Sequence, residues 1–486
     1  MRFSKYILAI ILITSTILAY GQKSDSTKMF TLQQCLDIAI KNNLQVKQGN
    51  TNAELAQIDY RQAIENLLPN ISGGASRSFN SGRAISPSTN SYINQSATND
   101  SYSLSGTMTL FNGFSLINAI KSTSLAYQAG KMNFQAAKDA VTVNVITGYL
   151  AILDDEEILA ASKSQYAYQK ETVDRLTILE KEGANKAASD LTDQQGQLAG
   201  NQVSVVVAQN TLDAAKLALF QIMNIPYQPD TEFQDLNAEN LRGDYGSNPE
   251  QVYQTALQQF ALIKAATLSR EAAEKNVSSL RGQLAPSITL GAGLNTAYSN
   301  TAQQSVFIDS TTSAVKGLYA QGPASATNPT GKQSIFSTSA NTSLQDISYR
   351  DQLKNNYSSY ISLGINIPIF LNGTRRNALS KAKINALYAR DVEENAKIVL
   401  RQNVEQAYYN MMAAYKRYQV LMDQVKAYTE SFRIYKLRFD AGVLTSVDYI
   451  FAKNNLDAAT VNMISAKYDY FIDSKILDYY QGKLSL

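Results

Sequence analysis

The residue types that most enzymes use for catalysis are scarce in this chain of 486 residues. It contains no histidine, and Cys35 is its only cysteine. The absence of histidine excludes Ser-His-Asp and Cys-His arrangements and histidine-containing zinc sites. A single cysteine also excludes a disulfide bond within the chain. The sequence therefore argues against an enzyme, predicts neither metal nor cofactor, and leaves only Ser-Lys or carboxylate chemistry formally open.

The remaining candidates are acidic residues that follow two glycine-containing turns. Asp448 stands three residues after Thr445, which is the spacing of a helix-capping pair, and an acid in the first helical turn also favours the helix dipole. Asp190 and Asp193 lie one helical turn apart and are interpreted first as a solvated helix face. The preceding glycines, Gly183 and Gly442, are predicted to shape the backbone at a helix end.

The N-terminus has the features of a secretory signal peptide. Arg2 and Lys5 precede an apolar run from Tyr6 to Leu18, and Ala19–Gly21 forms a small-x-small cleavage site, so the mature chain is expected to begin at Gln22. No later run reaches 18 apolar residues, so we expect no spanning helix in the mature chain. An exported chain of this kind is either soluble or crosses a membrane as strands. The net charge is only +3 without a basic block, which argues against nucleic acid as a partner.

Four segments show the alternation of a strand with one apolar and one polar face. In the clearest, isoleucine or leucine occupies every second position from Ile361 to Ile369. Such a run of about 10 residues is long enough for a tilted strand to cross a bilayer. The predicted strands are residues 70–80, 101–111, 287–299 and 359–371.

Long helical patterns and polar loops surround these strands. Phe114–Glu182 contains no proline, and a helix of about 65 residues would be about 100 Å long, which suits a coiled coil or the wall of a tube. The segments Ser81–Asp100 and Asn300–Tyr357 are polar and are predicted to be exposed loops.

The chain contains an internal duplication. LLPNISGGA is echoed by LAPSITLGA, LFNG by IFLNG with Leu371 inserted, and the turn after Gly183 by the turn after Gly442. The same order of landmarks occurs twice, which is typical of repeated architecture. We divide the chain into a signal peptide (1–21), a first repeat (22–223), a connector (224–248) and a second repeat (249–486).

Four strands are too few to close a barrel, since closed membrane barrels begin at about eight strands. An open sheet edge in lipid leaves backbone groups unpaired. The chain is therefore expected to oligomerise; two copies would supply eight strands and three copies twelve.

The chain resembles the TolC family of outer-membrane efflux and secretion channels over nearly its whole mature length. The resemblance is carried by TLQQCLDIAIKNN, the proline before the first strand of each repeat, the LFNG and IFLNG junctions, and the two Gly-x5/6-Asp turns. It implies a mixed α and transmembrane β fold, in which a homotrimer forms a 12-stranded barrel in outer-membrane lipid. Long antiparallel coiled coils would form a periplasmic α-barrel. The family often has a proline where Leu44 stands, and we match that position to Phe260 in the second repeat.

The resemblance also implies a function. The channel would be the passive exit duct of a tripartite efflux or type I secretion system in the cell outer membrane. A periplasmic adaptor (membrane fusion) protein would join it to an inner-membrane pump of the RND or ABC type. The alternative is a periplasmic coiled-coil scaffold or adaptor protein without a pore, which leaves the two-faced strands unexplained.

The resemblance assigns functional residues to the two turns and to the strand–helix junctions. It implies a pore constriction at Asp448 and Phe451, where the phenylalanine replaces a second ring of aspartates. The acids Asp190 and Asp193 are candidates in the other turn. The implied adaptor-docking residues are Gly183, Ala184, Asn185, Gly442, Val443 and Leu444. The junction residues are Phe111, Asn112, Gly113, Phe370, Asn372 and Gly373.

Overall fold

The computed structural model describes residues 29–85, 90–183, 187–236 and 245–483. The predicted signal peptide and the candidate residues Ala184 and Asn185 lie outside the described residues. The chain divides into two compact units. The helical unit contains the described residues up to Tyr60, Lys121–Lys275 and the described residues from Ala382 onward, and the sheet unit contains Arg61–Ile120 and Asn276–Lys381.

The same order of elements occurs in both halves of the chain, with a hairpin and a short helix added in the second. The first half contains β1 (Met29–Phe30), α1 (Leu32–Asn42), α2 (Leu44–Glu65), β2 (Asn70–Ile85), β3 (Tyr92–Phe111), α3 (Ser115–Lys181) and α4 (Ala187–Met223). The second contains β4 (Glu232–Phe233), α5 (Pro249–Gln259), α6 (Ala261–Gly282), β5 (Ser287–Ser299), β6 (Gln303–Gln321), β7 (Lys332–Asp346), α7 (Tyr349–Asn355), β8 (Ser358–Asn366), α8 (Thr374–Asp440) and α9 (Ser446–Tyr480).

The first helical segment of each half is broken by one extended residue. Asn43 has φ −60° and ψ 131°, and Phe260 has φ −66° and ψ 120°. Each still donates its backbone N–H to the residue four positions earlier, at 2.8 Å. The structural counterpart of Phe260 is therefore Asn43, not Leu44, and both kinks form without proline.

Three clusters of buried side chains hold the helical unit together. The largest joins α1, α3, α4 and α9, and the Tyr149 hydroxyl within it donates to the carbonyl oxygen of Gln234 at 2.7 Å. The second joins α5, α8 and α9 around Val252, Leu400 and Leu477. The third, which we call the tip core, lies beside the α3–α4 and α8–α9 turns and is described below.

Two helices are long and apolar enough, by length and composition alone, to cross a membrane. Their 18-residue windows in α3 and in Ser189–Met223 reach a mean hydropathy of 1.2. The sequence-based expectation of no such helix was therefore too strict. The same test is passed by core helices of soluble proteins, and α3 and α4 contribute to the largest buried cluster.

The sheet unit is organised around a four-stranded antiparallel sheet in the order β2-β3-β5-β8. One face, the apolar face, exposes large side chains, among them Phe79, Ile361 and Ile365. The other, the polar face, presents serine, threonine, asparagine and glycine. Matched hydroxyls meet across β2 and β3, with Ser72 Oγ 3.1 Å from Ser105 Oγ and Ser76 Oγ 2.7 Å from Ser101 Oγ.

The strands differ in length from the predicted ones, and the predicted loops were wrong. Residues 81–85 and 92–100 continue β2 and β3, paired up to Ile85 and Tyr92, so the strand predicted at 70–80 is longer and the one predicted at 101–111 begins earlier. Residues 303–321 and 332–346 form the paired strands β6 and β7. Polar side chains hid these strands because backbone pairing in water does not need alternating apolar residues. By contrast, β8 is shorter than predicted, because it ends at Asn366 rather than Leu371. Pro368 follows two residues later and lacks the N–H that strand pairing needs.

Candidate functional site

Each long helix pair turns at a glycine with a positive φ. Gly183 has φ +86° and Gly442 has φ +71°. After α8, the Gly442 N–H donates to the Phe439 carbonyl at 3.0 Å and the Val443 N–H donates to the Arg438 carbonyl at 3.1 Å. This is the usual glycine-terminated helix end. Among the described residues, no atom beyond the immediate chain neighbours lies within 4 Å of a Cβ built on either glycine, so their backbone conformation explains them.

Asp448 forms the predicted capping pair at the start of α9. Its backbone N–H donates to Thr445 Oγ1 at 3.3 Å, and the Thr445 hydroxyl donates to Asp448 Oδ2 at 2.7 Å. The residue is nevertheless exposed to solvent in the single chain. The cap and a role on an exposed surface are geometrically compatible.

The face of α9 next to Asp448 is apolar and exposed. Val447 and Phe451 stand one helical turn apart with 65% and 66% of their surface exposed, and Val443 in the turn is also exposed. Leu444 differs from these residues because it is half-buried against the tip core. A monomer gains nothing from exposing this apolar strip, which we call the tip strip (Val443, Val447 and Phe451).

The tip core packs the α3–α4 hairpin against the α8–α9 hairpin. Tyr449 is 1% exposed at its centre. Its ring stacks on Phe439 with 4.6 Å between centroids, and its hydroxyl donates to the Tyr168 hydroxyl at 2.9 Å. The remaining buried members are Val173, Leu176, Leu191, Phe432 and Ala452.

Polar contacts also join the two hairpins. The Ser446 hydroxyl donates to Asp193 Oδ2 at 2.8 Å, so Asp193, which is exposed on its helix face, also contacts α9. Arg175 Nη1 lies 2.6 Å from Asp440 Oδ1. Burial opposes ionisation of Asp440, but hydrogen bonds from Arg175 and Lys436 hold its pKa below the usual value.

A cleft of about 710 Å³ separates the two turns. Arg175 and Asp440 line one part of it, and Leu444 and Thr445 line another. Asp190 is half-buried in this cleft rather than fully solvated. The cleft is open to the surroundings and combines charged and apolar side chains.

Sequence reasoning missed a buried lysine in this region. Lys453 has only 9% of its side chain exposed and pairs with Asp457 one turn later. Its ammonium lies 5.4 Å from the Tyr168 ring centroid and 5.7 Å from that of Phe432, within the range of cation–π attraction. The i, i+4 spacing of Lys453 and Asp457 was visible in the sequence, but the aromatic partners come from other helices.

The first strand–helix junction depends on close backbone contact. Gly113 has φ +64°, and a Cβ built on it would stand 2.4 Å from the Gly282 carbonyl oxygen. Asn112 Oδ1 accepts a hydrogen bond from the Leu116 N–H at 3.2 Å, and Phe111 packs edge-on against Phe114.

The second junction aligns differently from the sequence match. Gly113 and Phe114 have positive φ immediately before α3, and Asn372 and Gly373 have positive φ immediately before α8. Gly113 therefore corresponds to Asn372 rather than to Gly373, and no inserted Leu371 is needed. Phe370 then matches Phe111 but is 76% exposed, against 37% for Phe111.

Asp154, at the α3–α9 contact, has an unusually high pKa. Burial, followed by the charges of Asp155, Asp469 and Glu157, raises the pKa of Asp154 to about 7, against an opposing effect of Lys467. Within the described residues, buried Asp154 Oδ1 has no hydrogen-bond partner.

We expect Asp154→Asn to stabilise the protein at pH 8 and to leave its stability unchanged at pH 4. The folded chain keeps a proton that the unfolded chain loses near pH 4, so the wild type loses stability as the pH rises from about 4 to 7. Thermal unfolding should show a rise in Tm of about 2 °C at pH 8. Asp59→Asn, which removes an exposed acid on α2, should show no such pH-dependent gain; an equal gain at both pH values would contradict the assignment.

Comparison with known proteins places this fold in a family. A family model described as outer membrane efflux protein matches residues 35–224 and 335–482. Outer membrane protein TolC of Escherichia coli (strain K12) is 22% identical over 446 residues, which cover 91% of this chain and 80% of TolC.

Solved structures show the same architecture. The Campylobacter jejuni CmeC outer membrane channel matches with a TM-score of 0.74 at 18% identity, covering 93% of this chain and 86% of CmeC. The outer membrane protein VceC of Vibrio cholerae matches with a TM-score of 0.70 at 15% identity, covering 93% of this chain and 97% of VceC. At such identities the structural likeness establishes the fold, helical with a β domain, while the family model extends over most of the sequence. The chain belongs to the outer membrane efflux protein family, a family of outer-membrane channels and not of enzymes.

Proposed function

We propose that three copies of this chain form the passive exit duct of a tripartite efflux or type I secretion system. The observation that carries the proposal is the sheet β2-β3-β5-β8, which has an exposed apolar face and two unpaired edges, β2 and β8. Edge strands cannot remain unpaired in lipid. Pairing β8 of one copy with β2 of the next closes a 12-stranded barrel when three copies take part.

The helical units then form the periplasmic part of the duct. Helices α3 and α8, each 67 residues long, supply about 100 Å of wall. Because their ends carry the α3–α4 and α8–α9 turns, these turns lie at the periplasmic end of the duct. We place the pore constriction there, with Asp448 as an acidic ring and Phe451 as an apolar ring.

The same end docks the periplasmic adaptor. The exposed Val443 and the half-buried Leu444, the turn glycines, and the sequence positions of Ala184 and Asn185 form the docking region. The adaptor connects the duct to an inner-membrane pump of the RND or ABC type, which supplies the energy. In this arrangement the cleft between the turns receives side chains of the adaptor.

Single-channel conductance of the purified protein in planar bilayers tests the proposal. Phe451→Ala should raise conductance, because it widens an apolar constriction that resists wetting. Asp448→Asn should lower the preference for cations over anions, because it removes a ring of charge. Val420→Ala and Asp423→Asn, at exposed positions within α8, are the matched controls and should behave as wild type.

The outcomes separate the components of the proposal. Unchanged conductance of Phe451→Ala together with unchanged ion selectivity of Asp448→Asn would leave the duct in place but reduce Asp448 to a helix cap. A protein that shows no conductance and is released from membranes by a carbonate wash would be a periplasmic scaffold or adaptor, and the duct would be rejected.

A further inference from the structure

The short helix α7 packs beside the C-terminal end of β5, beyond the part of β5 that pairs with β8. Gln352 is 2% exposed, and its amide replaces a strand partner: it donates to the Ser299 carbonyl at 2.9 Å and accepts from the Ser299 N–H at 2.8 Å. Asn356 Nδ2 donates to the Ala297 carbonyl at 2.6 Å. The side chains of the helix therefore pair with the edge of β5 that β8 leaves free.

Beside α7, an arginine is locked in place on the apolar face. Arg77 donates from Nε and Nη2 to the two carboxylate oxygens of Asp100, at 2.6 Å and 2.7 Å. Asp100 is 1% exposed, whereas the Arg77 side chain is 59% exposed. The Tyr349 hydroxyl lies 2.7 Å from that of Tyr102 and 3.3 Å from Asp100 Oδ2. This bidentate pair leaves Nη1 of Arg77 available to a further acceptor.

An apolar groove of about 480 Å³ lies next to Arg77 on the same face, toward the N-terminal end of β2. Its floor is formed by small residues of β2, Gly73 and Ala75, and its walls by Tyr102, Leu294 and Tyr357. Arg77 is two positions beyond Ala75, so it stands about 6–7 Å further along the strand on the same side. The groove and the Arg77 guanidinium therefore form one surface, which is apolar in the groove and cationic at Arg77.

We propose that this surface binds a phosphorylated membrane lipid, with the phosphate on Arg77 and an acyl chain in the groove. The proposal rests on the proposed function, because it needs the apolar face to contact the bilayer. Arg350 and Lys354, exposed and one turn apart on α7, add positive charge at the same level. Asp100 is paired with Arg77, and the Asp351 carboxylate accepts a hydrogen bond from the Ser348 hydroxyl that caps α7, so the two cations of α7 leave a local charge balance that favours an anionic headgroup. A guanidinium with free donors matches a phosphate group well.

Native mass spectrometry of the purified oligomer tests the proposal. The probes are palmitoyl-oleoyl phosphatidylglycerol, palmitoyl-oleoyl glycerol, which has the same chains without the phosphate, and inorganic phosphate. We expect the phosphorylated lipid to be retained and the other two not. Arg77→Gln alone would leave the buried Asp100 carboxylate without its ion-pair partner. The informative variant is therefore Arg77→Gln combined with Asp100→Asn, which removes both charges and keeps two amides that can hydrogen-bond.

The double variant should reduce lipid retention about fivefold, the effect expected for one basic side chain near a lipid surface. Asp100→Asn alone keeps the arginine and should retain lipid at least as well as wild type. Ala75→Phe should reduce retention by filling the groove, and Lys316→Gln, on the exposed β6 strand, should not change it. Equal retention of both lipids, or of the phosphorylated lipid by the double variant, overturns the proposal.

The same spectra test the proposed function separately. A mass of three chains without specific lipid retention rejects the lipid site and leaves the duct in place. A mass of one chain in every detergent that preserves the fold rejects the trimer, and with it the bilayer contact that the lipid site requires.

Discussion

Gly113→Ala is expected to destabilise the sheet unit strongly. The new methyl group would stand 2.4 Å from the Gly282 carbonyl oxygen and 2.6 Å from Ala285 Cβ, and φ +64° is itself unfavourable for alanine. Neither backbone can yield easily, because a Cβ on Gly282 would meet the Gly113 carbonyl oxygen equally closely. Overpacking and backbone strain together should cost about 3 kcal/mol.

The measurement is the urea midpoint of unfolding in detergent, together with the amount of protein recovered from the outer-membrane fraction. Gly196→Ala is the matched control, since Gly196 lies within α4 and no described residue approaches within 4 Å of its Cβ position. That change should be neutral or stabilise the helix by up to about 1 kcal/mol. A Gly113→Ala protein with the wild-type midpoint would show that the close contact of the two glycines is not required.

Tyr449→Ala should loosen the tip and raise channel conductance. The ring is fully enclosed by Phe439, Phe432 and the neighbouring helices, and removing a buried aromatic side chain costs about 3–5 kcal/mol. The lost packing energy comes from the contact between the α3–α4 and α8–α9 hairpins. The two hairpins should therefore separate before the rest of the helical unit unfolds. Conductance in planar bilayers and protease sensitivity near the turns should both increase.

Two further variants identify the cause. Tyr449→Phe keeps the ring and removes only the hydroxyl contact with Tyr168, so it should lose about 1 kcal/mol and conduct nearly as wild type. Tyr409→Ala removes a tyrosine of which 65% is exposed and should change neither property. Unchanged conductance of Tyr449→Ala, in a protein that still forms channels, would show that the tip core does not limit the pore.

The sequence predicted the order of elements well because long periodic patterns are averaged over many residues. Phe114–Glu182 was predicted as a helix, and α3 runs from Ser115 to Lys181. The central strands were found because an apolar face repeats every second residue. The same signal failed for residues 92–100 and 303–346, where apolar side chains do not alternate regularly along the strands and backbone pairing defines them.

The candidate site was predictable only where local rules apply. The Thr445–Asp448 cap and the two turn glycines follow from helix-end chemistry within a few residues. Contacts between hairpins do not follow from such local rules. The partnership of Asp193 with Ser446 spans 253 positions, and nothing in either neighbourhood marks the other residue.

The polar face of the sheet has a consequence for what travels past it. Its positions in β2, β3, β5 and β8 are filled by serine, threonine, asparagine, glutamine, glycine, alanine, one isoleucine and one tyrosine, without an acid or a base among these described positions. Hydroxyls paired across the strands already satisfy one another. Cargo inside the proposed bore therefore finds no ionic group to adhere to at this level. Such an inert lining suits an exit that must release molecules of unlike charge without retaining any of them.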